Sequence, residues 1–129
     1  MDSGFFVRAV VLSLILLPLS VMAEPSPYED CIEKEGGYRN ATVEYCSRKA
    51  KEFYDSEIKL ELLKLKLKLS TRQYDMLLKS QDSWQRYVED ACDLETALIG
   101  DLNYIYCPMM ESKERLRLLK RYVEDHLLK

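Results

Sequence analysis

The stretch "KLELLKLKLKLS", residues 59–70, decides the fold, because its alternation of leucine with charged residues fits both a strand and a helix. Every residue in it except the closing serine is a strong helix former, and none is β-branched. On a helix, which turns about 100° per residue, the apolar side chains fall into two stripes on nearly opposite sides. The first leucine stripe is Phe53, Leu60, Leu63 and Leu67, and the second leucine stripe is Tyr54, Ile58, Leu62, Leu65 and Leu69. We predict a helix that is apolar on both sides.

A helix with two apolar sides has to be covered twice. The simpler arrangement is a central helix, packed between the segments before it and the helix that follows it. The alternative is that one stripe contacts another protein chain. If the second leucine stripe makes that contact, Ile58, Leu62, Leu65 and Leu69 would lie exposed on the surface, so the burial of these four side chains tests this alternative.

The surrounding sequence predicts further helices. Neither glycine nor proline occurs from Ala41 through Ile99, which favours helix over short strands and turns. Ser70 and Gln73 have the spacing of a capping box, so the long stretch should fold back at Ser70 as a helical hairpin. Glycines end the flanking segments, and Pro108 suits the first turn of a last helix. We predict an all-α bundle of about four helices, near residues 28–35, 42–69, 71–99 and 108–128.

The first 23 residues have the three parts of a secretory signal peptide. Arg8 precedes a short apolar run, and residues 21–23 form an A-x-A-like cleavage site. We predict cleavage after Ala23, which leaves residues 24–129 as one mature domain, either periplasmic or secreted. Because no cysteine stands at the cleavage site, no stable membrane anchor is expected after cleavage.

All four cysteines lie in the predicted mature part, and an even count in an oxidising compartment indicates two disulfides. Cys31 and Cys46 are fifteen positions apart, as are Cys92 and Cys107, and each pair brackets a glycine between two predicted helices. This symmetry favours bridges within the pairs, although four cysteines allow two other connectivities. The chain has no C-x-x-C pair and one histidine, His126, so no metal site is expected.

The composition argues against nucleic-acid binding and against catalysis. The formal net charge is −3, which is not the balance of a nucleic-acid binder. His126 has no cysteine nucleophile or second histidine to work with, and the sequence has no glycine-rich phosphate loop. Neighbouring carboxylates such as Glu89 and Asp90 point apart on a helix. We expect a binding protein without enzymatic activity or cofactor.

The segment "LLKSQDSWQRYVEDACDLE", residues 77–95, resembles the signature of the LprI-like lysozyme-inhibitor family, with a glutamine, a tryptophan, an aromatic residue and a cysteine in matching order. The resemblance extends over nearly the whole mature chain, through the four cysteines and flanking polar residues. Besides the cysteines, the matching residues are Asp55, Gln81, Trp84, Tyr87, Ser112 and Arg115. Helical spacing places Gln81, Trp84 and Cys92 on one stripe, so we expect these signature residues to be mostly structural, as core and bridge.

The chain departs from the family pattern at three positions. Val88 replaces an arginine, Lys59 replaces an asparagine, and Leu62 replaces an aromatic residue. These departures predict more aliphatic packing and argue against any buried ion pair at those positions.

The resemblance implies an exported, non-catalytic protein that binds a cell-wall-degrading enzyme such as lysozyme. An inhibitor of that cationic enzyme needs an exposed acidic patch, for which Glu89, Asp90 and Asp93 are the candidates. Two alternatives remain open. One is a structural or interaction module of the cell envelope that uses the second leucine stripe, and the other is a toxin-neutralising immunity protein.

Overall fold

The computed structural model describes residues 26–127, and its side chains through His126. These residues form four helices, which are α1 (Pro27–Lys34), α2 (Asn40–Lys68), α3 (Thr71–Ile99) and α4 (Asn103–Leu127). The described part of the chain contains no strand, so the predicted all-α bundle of four helices is confirmed. The predicted signal peptide, residues 1–23, lies outside the described residues and stays a prediction.

The break between α2 and α3 is the predicted capping box. The Ser70 hydroxyl accepts a hydrogen bond from the backbone N–H of Gln73 at 3.2 Å, and the Gln73 side-chain oxygen accepts one from the Ser70 N–H at 3.0 Å. Two backbone donors that the start of α3 would otherwise leave without partners are therefore satisfied. The leucine-rich stretch is helical up to Lys68, and the chain reverses immediately after it.

The central element of the bundle is α4. It packs along α2 and also against α3, whereas α1 packs on α2 and the α2–α3 pair hardly makes contact beyond the hairpin. The prediction of a central α2 is therefore wrong. The reason lies in α4, where every third or fourth side chain is buried; these are Ile105, Met109, Ser112, Leu116, Leu119 and Val123. This stripe runs along nearly the whole helix and supplies the surface on which the other helices rest.

Only one of the two leucine stripes is covered. In the second leucine stripe Ile58 and Leu65 are 4% and 0% exposed, and Leu62 and Leu69 are half-buried. In the first leucine stripe, by contrast, Leu63 and Leu67 are 58% and 85% exposed. The expectation that both sides would be covered is wrong, and so is the alternative that placed a partner on the second leucine stripe. Because α1 is joined to the N-terminal part of α2 and α3 hardly contacts α2, the leucine-rich part of α2 packs mainly on α4.

The last helix begins five residues before Pro108, at which the sequence predicted its start. Ile105 is buried, Cys107 is bridged to α3, and the Tyr106 ring packs edge-on against Tyr28 at 5.5 Å. These contacts fix the turn that precedes the proline. Pro108 lies inside α4, in its second turn, and has no backbone N–H to donate to the carbonyl of Tyr104, so the helix lacks one backbone hydrogen bond there.

The disulfides join Cys31 to Cys46 and Cys92 to Cys107, which confirms the local pairing. The first fastens α1 to α2, and the second fastens the C-terminal half of α3 to the start of α4. Because each closes a loop of the same length, the chain-entropy model assigns each about 3 kcal/mol of stability. Among residues 26–127, no helix has both the length and the apolar character needed to cross a membrane.

Candidate functional site: a cleft between α2 and α3

A cleft of about 870 Å³ opens between α2 and α3, with α4 as its floor. It exists because few side chains of α3 are buried against the rest of the protein. Only Leu77 and Cys92 are fully buried in this helix, and the turns between them carry side chains that are half-buried or exposed. A helix with so few buried side chains leaves a gap beside its middle turns.

Each helix contributes a distinct set of side chains to the cleft. The α2 wall consists of Lys51, Asp55, Ile58, Lys59 and Leu62. The α3 wall consists of Gln81, Trp84, Gln85, Val88, Glu89, Cys92 and Asp93. The floor, from α4 and the turn that begins it, consists of Tyr104, Pro108 and Ser112. The lining therefore combines apolar side chains, amides, two aromatic rings and both signs of charge.

Asp55 ties the α2 wall to the floor. Its Oδ1 accepts a hydrogen bond from the Ser112 hydroxyl at 2.7 Å, and its Oδ2 accepts one from Lys51 Nζ at 2.6 Å. Ser112 is almost fully buried, so its hydroxyl needs this partner. Both carboxylate oxygens of Asp55 are thereby occupied, and the residue holds α2 and α4 in register.

Arg115 performs the equivalent task for α3. Its Nε donates to Gln81 Oε1 at 2.9 Å and its Nη2 donates to Ser80 Oγ at 3.1 Å, while the guanidinium lies over the Trp84 ring, 5.6 Å from its centroid. Arg115 is only 8% exposed, and this burial lowers the pKa of its guanidinium below the ordinary value, although an arginine stays charged at any physiological pH. Within residues 26–127, no carboxylate forms an ion pair with it. Neutral partners and one aromatic ring therefore hold this cation.

The structure brings five of the six signature residues into these two clusters. Asp55 and Ser112 form one, and Gln81, Trp84 and Arg115 form the other. Trp84 and Gln81 are half-buried at the edge of the core, where both also line the cleft, so the expectation that they lie within the core is only partly correct.

Tyr87 is the signature residue that stands apart. Its side chain is 58% exposed and does not line the cleft. Tyr87 therefore does not belong to the core, in contrast to what was expected of the signature residues.

The three candidate acidic residues are all exposed on α3, and two of them line the cleft. Glu89 and Asp93 lie one turn apart on α3, are exposed, and line the cleft. Neither forms an ion pair with any residue of the described chain. Asp90 is exposed but does not line the cleft, because consecutive helical residues point about 100° apart. Glu89 and Asp93 are therefore the two candidates that border the cleft, and Asp90 lies beside them on the exposed side of α3.

Tyr104 is a cleft residue that the sequence reasoning missed. Its hydroxyl donates to Glu44 Oε1 at 2.6 Å, and Arg48 Nη2 donates to the same oxygen at 3.1 Å. The tyrosine hydrogen bond is the main cause that lowers the pKa of Glu44, and it raises the pKa of Tyr104. Tyr104 was overlooked because the last helix was expected to begin at Pro108.

The three departures from the family pattern all fall on the cleft. Lys59 and Leu62 belong to its α2 wall and Val88 to its α3 wall. The two aliphatic side chains are half-buried there, as the sequence predicted, and Lys59 is exposed. The differences between this chain and the family pattern therefore change the lining of the cleft.

Glu111, on the side of α4 near Glu95, yields a prediction about how the stability of the protein depends on pH. Burial raises the pKa of Glu111, and the charges of Glu95 and Glu114 raise it further. The folded state then binds this proton more tightly than the unfolded state, so stability falls as pH rises through the raised pKa and stays lower above it. We expect Glu111→Gln to be more stable than wild type at about pH 7, with the gain absent at about pH 3, where glutamate is protonated in both states.

Urea unfolding at the two pH values measures this difference. Glu124→Gln, which removes an exposed carboxylate from the same helix, controls for the loss of one charge. A gain for Glu111→Gln that is equally large in acid would contradict the prediction, because it would not come from the ionised carboxylate.

Within residues 26–127, no three histidine, cysteine, aspartate or glutamate side chains come together in a group that could hold a metal ion.

Comparison with known proteins identifies one family. A family model described as lysozyme inhibitor LprI matches residues 31–125. The matched range includes both disulfides and every side chain that lines the cleft. Neither a curated protein nor a solved structure matches the chain.

Proposed function

The chain belongs to the LprI family of lysozyme inhibitors, and from that membership we propose that it binds a c-type or related lysozyme and slows the hydrolysis of cell walls. Inhibition of this kind requires binding and no chemistry of its own. Two disulfides are typical of proteins that work outside the cytoplasm, where cell walls are hydrolysed. We propose a periplasmic or secreted location after cleavage at Ala23.

The observation that supports the cleft as the binding site is the pair of free carboxylates on its rim. Glu89 and Asp93 are exposed and lie one turn apart on the same wall. In contrast, Asp55 in the same cleft is already engaged by Ser112 and Lys51. Two free carboxylates at a concave surface attract a cationic protein and can pair with its basic side chains once it is bound.

The shape and chemistry of the cleft suit an arginine or lysine side chain of the partner. Leu62 and Val88 offer apolar surface to its methylene stem, and Glu89 and Asp93 offer acceptors to its charged end. Gln81 and Gln85 add amides that can hydrogen-bond to partner backbone. An arginine would gain most, because its guanidinium can bind carboxylates through two parallel hydrogen bonds.

The hydrogen-bonded clusters behind the walls prepare the cleft for binding. Arg115 fixes the middle of α3, and Asp55 fixes the facing part of α2. Walls that are held in place before binding lose little conformational entropy when the partner arrives. This explains why residues of the family signature lie behind or beside the cleft, where their role is to hold its walls in place.

The test is a turbidity assay of lysozyme on cell walls with increasing amounts of the oxidised mature protein, residues 24–129, run beside calorimetry. We expect inhibition that saturates with a measurable heat of binding. We also expect the association rate to fall as salt rises past the physiological range, where screening shortens to less than about 8 Å. Full lytic activity at a large molar excess, with no heat of binding, would refute the proposal.

A further inference from the structure

The first leucine stripe forms an exposed apolar row on the outer side of α2. Leu60, Leu63 and Leu67 lie on successive turns near the C-terminus of the helix, and their exposed fractions are 50%, 58% and 85%. No other helix of the described chain covers them, because α4 packs on the opposite side of α2 and α3 diverges from the hairpin. A row of leucines this exposed lowers the solubility of a protein unless a binding partner covers it.

This row lies within a strongly basic part of an acidic protein. Residues 59–79 contain six basic and two acidic side chains, whereas the whole chain has a formal net charge of −3. All six basic side chains are exposed; they are Lys59, Lys64, Lys66, Lys68, Arg72 and Lys79. Of the two acids, Glu61 is buried and paired with Lys64 at 2.7 Å, which leaves Asp75 as the exposed one.

The lysines border the leucines on both sides. By the helical period, Lys59 and Lys66 fall on one side of the row, and Lys64 and Lys68 fall on the other. Lysine side chains are long enough to reach past an apolar surface and place their ammonium groups at its polar boundary. This is the arrangement of a helix that lies in the interface of a membrane, with leucines toward the acyl chains and lysines at the phosphates.

We infer that this face, the basic leucine face formed by Leu60, Leu63 and Leu67 with their flanking lysines, binds reversibly to an anionic phospholipid bilayer. A second copy of the chain is a poor occupant, because two such faces would bring like charges together. A soluble polyanion is also a poor occupant, since it would attract the lysines and leave the leucines in water.

This binding is by adsorption and needs no spanning helix. The basic leucine face borders the cleft at Lys59, on the α2 wall, whereas the acidic rim of the cleft, at Glu89 and Asp93, lies on the α3 wall. The opposite charges of the two surfaces let the protein bind a membrane through one and a cationic partner through the other. The inference stands whether or not the partner is lysozyme.

Vesicle co-sedimentation of the oxidised mature protein tests the inference. The vesicles are phosphatidylcholine alone, or equal parts of phosphatidylcholine and phosphatidylglycerol. We expect sedimentation with the anionic vesicles only, weakening with salt. Lys66→Gln/Lys68→Gln should bind about 25-fold more weakly, since each basic residue near an anionic surface contributes about fivefold. These two lysines are chosen because Lys59 also lines the cleft and Lys64 pairs with Glu61.

Leu63→Gln/Leu67→Gln should weaken vesicle binding by roughly tenfold or more, because the buried apolar area is lost. Glutamine keeps the helix propensity of the segment. The matched control is Leu94→Gln/Leu98→Gln, whose leucines are also four residues apart and are 58% and 75% exposed on α3. Lys34→Gln/Arg121→Gln is the matched charge control. Both controls should bind as wild type does.

Several results would overturn the inference. One is a wild-type protein that stays in solution with anionic vesicles, and another is equal binding by the test variants and their controls. Binding to soluble polyphosphate that Leu63→Gln/Leu67→Gln leaves unchanged, without vesicle binding, would indicate a polyanion site. A lipid-free dimer that the same variant dissociates would make the face an interface between copies.

Discussion

Cys92→Ala/Cys107→Ala is expected to lose about 3 kcal/mol of unfolding free energy, and with it most of the inhibition of lysozyme. The stability loss follows from the loop that the bridge closes in the unfolded chain. The functional loss follows from the position of the bridge, since Cys92 is one of only two fully buried residues of α3. Without it, Arg115 and Leu77 still hold the N-terminal half of α3, but the turns that carry Glu89 and Asp93 lose their anchor.

The other disulfide provides a matched control. Cys31→Ala/Cys46→Ala opens a loop of the same sequence separation, 15 residues, so the chain-entropy model gives the same loss of stability. It frees α1, which contributes no side chain to the cleft. We expect this variant to inhibit as wild type does at temperatures where it remains folded.

Urea unfolding gives the stability of both variants, and amide hydrogen exchange shows where each one opens. In Cys92→Ala/Cys107→Ala, protection should fall first in the C-terminal turns of α3. If both disulfide variants lose inhibition to the same extent, the cause is general destabilisation. If Cys92→Ala/Cys107→Ala inhibits as wild type does, the cleft is not the binding site.

Local sequence signals predicted the helices, the hairpin and the disulfides. The capping box at Ser70 and Gln73 depends on residues three positions apart, and each disulfide joins residues of adjacent helices. Interactions of such short range are visible in a sequence, because the residues that make them are near neighbours in the chain.

The sequence of α2 did not show which of its two leucine stripes another helix covers. Both stripes of α2 have helical spacing and leucine content, so α2 alone does not determine which one is covered. The decisive helix is α4, whose buried stripe continues at spacings of three and four from Ile105, across Pro108, to Val123. Following that spacing across the proline would have lengthened α4, placed Tyr104 in the helix, and suggested α4 as the central element.

The character of the cleft could be predicted only in part. Helical spacing placed Gln81 and Trp84 on the inner side of α3, where both are half-buried and line the cleft. Spacing does not distinguish a side that packs against a neighbour from one that borders a gap, because both turn away from solvent. The polar members of the α3 stripe, Gln81 and Glu95, are the signal that this side is not a closed core.

Glu89→Lys/Asp93→Lys is expected to weaken lysozyme binding by about 100-fold or more, because like charges brought together at an interface cost several kcal/mol. The fold should survive the change. Both residues are exposed and form no ion pair with the described chain, and exposed charges contribute little to stability. Calorimetry measures the affinity, the turbidity assay measures the inhibition, and circular dichroism confirms the helices.

The control for this reversal has to separate the cleft from the overall charge of the protein. Asp75→Lys/Asp90→Lys makes the same change in net charge on exposed positions of α3 that do not line the cleft. Net charge acts through long-range steering, so the control should lose some association rate, most visibly at low salt. Only the reversal at Glu89 and Asp93 should also raise the dissociation rate, because those carboxylates pair with the bound partner. Equal effects of the two variants on dissociation would place the contact outside the cleft, and unchanged inhibition by both would mean that charge does not drive the binding.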